Sequence, residues 1–233
     1  MNSSKVRIES LKELNPITQT QEKVFQYYDK DYNLCLNGSA GTGKTYIALY
    51  LALQDVLDKN TDYDKVVIVR SIVPIRDIGF LPGSEEEKKE AYMLPYKTII
   101  KDLVEVDDAW NKLVNQDALE FISTSFIRGI TISNAIIIID EMQNLNFHEL
   151  DSVITRLGDN CRIILCGDYF QSDFEKDRDK DGINLFLDII DRMKGFEVIE
   201  FGWEDIVRSD LVRDYIMTKQ FMGIDSNGKV QEI

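Results

Sequence analysis

Eight consecutive residues constrain this chain more than any other feature: Gly38-Ser39-Ala40-Gly41-Thr42-Gly43-Lys44-Thr45. An apolar run, Leu34–Leu36, leads into them, and a helical pattern, Tyr46–Leu57, follows. Glycines at these positions let backbone N–H groups surround phosphate oxygens without side-chain clashes. Lys44 supplies a positive charge to β- and γ-phosphates, and Thr45 offers a hydroxyl to Mg²⁺. The helix that starts there turns its positive dipole end toward the anion. A chance glycine-rich turn is the competing reading, and the strand–loop–helix context argues against it. Residues Gly38, Ser39, Ala40, Gly41, Thr42, Gly43, Lys44 and Thr45 are therefore the candidate nucleotide-binding residues.

The rest of the chain alternates short apolar runs with helical stretches, the pattern of an α/β fold whose mostly parallel sheet is sandwiched by helices. Val66–Val69, Ala135–Ile139, Arg162–Cys166 and Glu197–Phe201 read as further strands, and Phe121–Ile122 as part of another. Four consecutive isoleucines in Ala135–Ile139 mark a strand buried on both faces. A helix is expected from about Glu85 to Val106, with Pro95 as a candidate interruption. A length of 233 residues suits one compact domain, taken as residues 1–222, with 223–233 as a loose tail.

Composition narrows the function classes. The formal net charge of −14 argues against coating nucleic acid with a general basic surface, though a narrow basic groove stays open. Acidic clusters at Glu85–Glu90, Asp102–Asp108 and Asp173–Asp181 read as solvated faces and loops. Cys35, Cys161 and Cys166 lie in apolar runs without zinc spacing and read as buried, reduced thiols. A single histidine, His148, removes most triad chemistry. No apolar run is long enough to span a bilayer, and Met1–Ser10 lacks the apolar core of a secretory signal. The expectation is a cytoplasmic protein with no membrane partner.

Two further segments carry candidate chemistry. The run Ile136-Ile137-Ile138-Ile139-Asp140-Glu141 delivers two acids to the C-terminal end of a strand, where ligands sit in open α/β sheets. There Asp140 would hold Mg²⁺, and Glu141 would orient or deprotonate an attacking water. The segment Gly167-Asp168-Tyr169-Phe170-Gln171-Ser172-Asp173 follows another apolar run, so Gln171 could reach a γ-phosphate. By spacing alone, a polar loop turning at Gly167-Asp168 is the simpler reading there.

Taken together, these residues resemble the PhoH-like family of ATPases, whose core is similar to one RecA-like domain of a superfamily-one helicase. The resemblance runs from about Pro16 to Ile216. It is carried by Gly38–Thr45, by Arg70 with Gly79-Phe80-Leu81-Pro82-Gly83, and by Phe126-Ile127-Arg128-Gly129. It continues in Asp140-Glu141-Met142-Gln143-Asn144, with Met142 where the family usually has alanine. Gly167-Asp168, Gln171 and Asp173 follow, then Val207-Arg208 with Leu211-Val212. The resemblance implies further roles. Gln21 looks like the glutamine that helicase-like ATPases use to read adenine, Gln171 like a γ-phosphate sensor, and Arg208 like an arginine finger. Without the family, Gln21 and Arg208 would read as solvated surface residues. Arg70 and Arg128 are candidate phosphate or nucleic-acid contacts, or equally partners for nearby acids.

The function this implies is Mg²⁺-dependent ATP binding and hydrolysis coupled to single-stranded RNA or DNA. The alternative is a nucleotide-switched regulatory protein with slow or no hydrolysis. A small-molecule kinase would not be expected to pair Asp140-Glu141 with Gly167-Asp168 and Gln171. The chain has no room for a second RecA-like domain, so an arginine finger acting in trans implies a homo-oligomer such as a hexameric ring.

Overall fold

Among the described residues, five of the six strands are almost wholly buried, and a sheet of that kind needs cover on both faces. A computed structural model of the protein describes residues 5–71, 85–168 and 177–224, with backbone alone for 85–88 and 177–181. The strands are β1 (Asn33–Gly38), β2 (Lys65–Arg70), β3 (Leu119–Ser123), β4 (Ala135–Ile139), β5 (Cys161–Gly167) and β6 (Phe196–Phe201). The helices are α1 (Gln19–Tyr28), α2 (Lys44–Leu57), α3 (Glu85–Leu103), α4 (Ala109–Asn115), α5 (Phe147–Ile154), α6 (Asp177–Asp191) and α7 (Asp210–Phe221). All strands pair in parallel, in the order β3-β2-β4-β5-β1-β6. The expected α/β class with a parallel sheet between helices is therefore the observed architecture.

Strand alternation divides the core into two layers. Ile136 and Ile138 of β4 pack with Leu34, Leu36, Ala48 and Leu49 on one face. Ala135, Ile137 and Ile139 pack with Leu150, Val153 and Phe186 on the other. Isoleucine suits both layers because its branched side chain fits a pleated, buried surface. The strand order also positions the site. Because β5 lies between β4 and β1, the residues after these three strands meet along one edge of the sheet.

Three sequence expectations are refined. Helix α3 continues through Pro95 to Leu103. Pro95 is exposed, so its lost backbone hydrogen bond faces water and no break results. Cys35 and Cys166 are buried and free, but Cys161 is only half-buried because it opens β5 at the sheet's margin. Residues 223 and 224, the start of the expected tail, follow α7 and bond back to it: Gly223 N donates to Gln220 O at 2.9 Å and Ile224 N to Lys219 O at 3.1 Å. The rest of that tail, 225–233, lies outside the described residues, as do the Gly79–Gly83 segment and positions 173–176 of the third acidic cluster.

At the opposite edge of the sheet from the phosphate loop, Arg162 is a buried cation that the sequence did not single out. Its guanidinium hydrogen-bonds to the carbonyl of Tyr28 and, at 3.2 Å, to that of Tyr32. It stacks over the Tyr28 ring and pairs with Asp55 at 3.5 Å. The Tyr28 hydroxyl donates to Asp55 at 2.7 Å, so the cluster ties α1, α2 and β5 together. Removing the cation would leave the carbonyls and Asp55 without it, a change that costs several kcal/mol at buried pairs. Arg162→Leu is expected to lower stability by about 3 kcal/mol, read from urea denaturation.

Candidate functional site

The phosphate loop is held from several directions by backbone contacts. Gly38 ends β1 at φ 130°, and a Cβ there would lie 2.1 Å from the carbonyl oxygen of Phe201 in β6, so only glycine fits. Lys44 opens α2 and folds back over the loop, donating to Gly38 O and Ser39 O, each at 2.7 Å. Thr42 Oγ1 donates to Ser39 O at 3.0 Å. Val207 N donates to Gly41 O at 3.0 Å, and Ser39 Oγ is hydrogen-bonded to Gln220 of α7. These bonds engage the loop's carbonyls, and residues Ala40–Thr45 line a cavity. That cavity is about 800 Å³ and is also lined by Arg70, Tyr96, Asp140, Glu141, Asp168 and Arg208.

At the next strand ends, the acids face the loop. Thr45 Oγ1 donates to Asp140 Oδ1 at 2.8 Å, joining the first turn of α2 to the end of β4. Asp140 is 6% exposed. Its other oxygen, Oδ2, accepts from the Tyr96 hydroxyl of α3 at 2.8 Å. Arg70, at the end of β2, donates to that hydroxyl at 3.4 Å and lies over the Tyr92 ring. Burial raises the Tyr96 hydroxyl well above its ordinary range, and the Asp140 charge adds to this, so Tyr96 stays a protonated donor.

Glu141 follows at φ 54°, a left-handed conformation that swings it away from its neighbour. Its Oε2 accepts from Gln143 Nε2 at 2.6 Å, and Gln143 Oε1 accepts from the Asp168 amide at 3.0 Å. Gln143 thus connects the ends of β4 and β5. Met142, which departs from the family's alanine, is accommodated because Gly167 lacks a side chain: a Cβ there would lie 2.5 Å from Met142 Cγ.

Electrostatics follow burial. Desolvation lowers the Lys44 ammonium, opposed by Asp168, Cys166, Asp140 and Glu141. Glu141 is raised, first by burial and then by the Asp140 charge, with Arg70 opposing. For Arg70, burial pulls down, but Tyr96, Glu141 and Asp140 outweigh it and the net shift is upward. A carboxylate with a raised pKa at the mouth of a phosphate site is suited to taking a proton from water.

Thr45 and Asp140 supply only oxygen donors, the set that suits Mg²⁺, which usually takes one or two protein oxygens and completes its shell with water and phosphate. The residues present therefore fit a Mg²⁺-nucleotide complex.

Each remaining sequence candidate has a definite position. Arg208 lies along its own chain's loop: a Cβ on Gly41 would come 2.9 Å from Arg208 Cγ. It therefore lines the cavity in cis, without a neighbouring subunit. Gln21 is 4% exposed; its Nε2 donates to Thr42 O at 3.2 Å and its Oε1 accepts from Ile17 N at 2.9 Å. Its Nε2 braces the loop backbone, and its Oε1 ties down the residue before its own helix. Arg128 is exposed on the turn after β3, away from the cavity lining. Gln171 and Asp173 lie outside the described residues. Tyr96 was missed in the sequence, where its spacing with Ile100 and Leu103 looks like an ordinary core stripe.

The model of the PhoH-like protein family matches residues 13–219. A PhoH-like protein of Synechocystis is 32% identical over 184 residues, covering 78% of this chain and 55% of that protein. Protein PhoH of Escherichia coli is 31% identical over 176 residues, covering 75% of this chain and 49% of that protein. This chain thus spans about half the length of the curated relatives it matches. Among solved structures, the Hef helicase domain of Pyrococcus furiosus aligns with 80% of this chain and 39% of that one, at 14% identity and a TM-score of 0.47. Family match and loop geometry agree: the chain belongs to the PhoH-like protein family and has the fold of a P-loop NTPase.

Proposed function

We propose that this chain binds Mg²⁺·ATP in the loop cavity and hydrolyses it, with single-stranded RNA or DNA coupled to turnover. The observation that carries the first part is the 2.8 Å hydrogen bond between Thr45 and Asp140, with Glu141 next in the chain. Lys44 and the loop N–H groups would bind the triphosphate. Thr45 and Asp140 would hold Mg²⁺, which neutralises phosphate charge when bound. Glu141 would accept the proton of the attacking water, and Arg208 would offer charge to the transferring phosphoryl group. Gln171 is retained as the proposed γ-phosphate sensor. With ATP as substrate, the cytoplasm is the proposed place of work.

Support for nucleic-acid coupling comes from the C-terminal edge of the sheet. Phe126 is 67% exposed there, beside the exposed cation of Arg128 and the exposed Ile130. An aromatic face next to a cation suits the stacking of unpaired bases, and its local character fits a chain whose net charge is negative. Self-association is supported by α7. That helix has no buried residue, and Leu211, Tyr215 and Met222 form one exposed apolar stripe. Its link from Gln220 to Ser39 also favours a second reading, in which nucleotide occupancy switches assembly and hydrolysis is slow.

Wild type should hydrolyse ATP, and Glu141→Gln should bind ATP but lose turnover by at least about a hundredfold. Binding by both proteins without turnover under any condition would favour the switch. Single-stranded RNA or DNA should accelerate wild-type turnover, and the double variant Phe126→Ala, Arg128→Ala should lose that acceleration while keeping its basal rate. Sedimentation should detect an oligomer that Leu211→Glu dissociates; a monomer with full activity would remove the oligomer from the scheme.

Glu141→Gln also carries a pH prediction. Because its folded pKa is raised, Glu141 weakens the native state where it is charged. Its relative contribution is complete below the unfolded value of about 4.3 and is lost as pH rises through the folded value. The variant should therefore melt higher than wild type at about pH 7, and the difference should close near pH 4. Thermal denaturation across that range measures it.

A further inference from the structure

Asp140 is anchored by a residue that belongs to none of the sequence motifs. Both of its carboxylate oxygens are engaged, Oδ1 by Thr45 and Oδ2 by Tyr96, each at 2.8 Å. Tyr96 comes from α3, an element that packs on α2 and α4, and is 1% exposed. Its ring is fixed against Phe121 of β3, with centroids 5.8 Å apart, and its hydroxyl is the bridge between Arg70 and Asp140. A buried phenol normally finds a partner for its hydroxyl, and here that partner is the acid that faces the phosphate loop.

We propose that Tyr96 is a positioning residue for the Mg²⁺ site: it holds Asp140 Oδ2 so that Oδ1 stays turned toward Thr45. Without the hydroxyl, the Thr45 bond alone restrains the carboxylate about its terminal torsion, which is broad and soft. Arg70 supports the arrangement from the far side, by orienting the hydroxyl and by placing a cation near Asp140 and Glu141. Tyr96 itself would touch neither nucleotide nor metal. Its effect would pass through Asp140, as with outer partners that orient metal-binding carboxylates elsewhere. This inference rests on reading the cavity as a Mg²⁺·ATP site.

The test is Tyr96→Phe, which keeps the ring and removes one oxygen. Binding of a fluorescent ATP analogue is measured by anisotropy, first in EDTA and then across a Mg²⁺ titration, beside thermal denaturation. The expected result is analogue affinity in EDTA within about twofold of wild type, with the Mg²⁺ midpoint raised roughly tenfold to a hundredfold. A midpoint equal to that of wild type overturns the proposal, and so does an equal loss of affinity with and without Mg²⁺. A purely structural tyrosine would lower the melting temperature and leave the Mg²⁺ midpoint in place. If Tyr96→Phe does not fold, Phe121→Leu loosens the ring that fixes Tyr96 without changing a residue of the cavity lining, and the same split is expected between the EDTA and Mg²⁺ arms. If wild type binds no analogue in either arm, the Mg²⁺·ATP reading itself fails; that outcome is separate from wild type responding to Mg²⁺ with Tyr96→Phe unchanged.

Discussion

The structure turns on gathering one ammonium and several carboxylates, largely out of water, at the ends of parallel strands. Lys44, Asp140, Glu141 and Asp168 converge where β1, β4 and β5 finish. Charges taken from water are tolerated only when paired and hydrogen-bonded. Much of the surrounding architecture supplies those bonds. Lys44 is held by two loop carbonyls, Asp140 by Thr45 and Tyr96, and Glu141 by Gln143. The raised pKa of Glu141 is the residue of that burden, left on the group whose proposed work is to accept a proton.

The loop that receives phosphate is equally dependent on distant parts of the chain. Its backbone is held by Gln21 of α1 and by Val207 after β6, and the hydroxyl of Ser39 by Gln220 on α7. Segments far apart in sequence therefore share one rigid loop. The loop is thereby linked to α7, whose apolar stripe is exposed, and Asp140 to α3 through Tyr96. These links build the loop cavity into the fold rather than attach it to the surface.

Sequence and tertiary structure divide the explanation unevenly. The octapeptide Gly38–Thr45 and the four isoleucines before Asp140 were legible because each is local: a loop geometry in one case, a buried strand in the other. The alternation of apolar runs with helical stretches also foretold the parallel class. Helix α3 was legible in extent, but the passage of Pro95 without a break depended on which face of the helix meets water.

What local pattern could not fix was how polar side chains choose among partners. Gln21 resembles a base-reading residue, yet its ends are committed to Thr42 and Ile17, a choice made by the approach of α1 to the loop. Arg208 falls beside its own loop because β6 ends next to β1, and Gly41 leaves the space it fills. Tyr96 carries no sequence signal at all, since a buried aromatic at helical spacing looks the same whether or not its hydroxyl meets an acid. The sequence by itself determined the phosphate loop, the acids at the end of β4 and the sheet that presents them, because short-range geometry and hydrophobic period suffice for these. Only the tertiary structure decided which residues brace that site, because hydrogen bonds between segments distant in sequence, such as Tyr96 to Asp140 across 44 residues, depend on packing that no local pattern encodes.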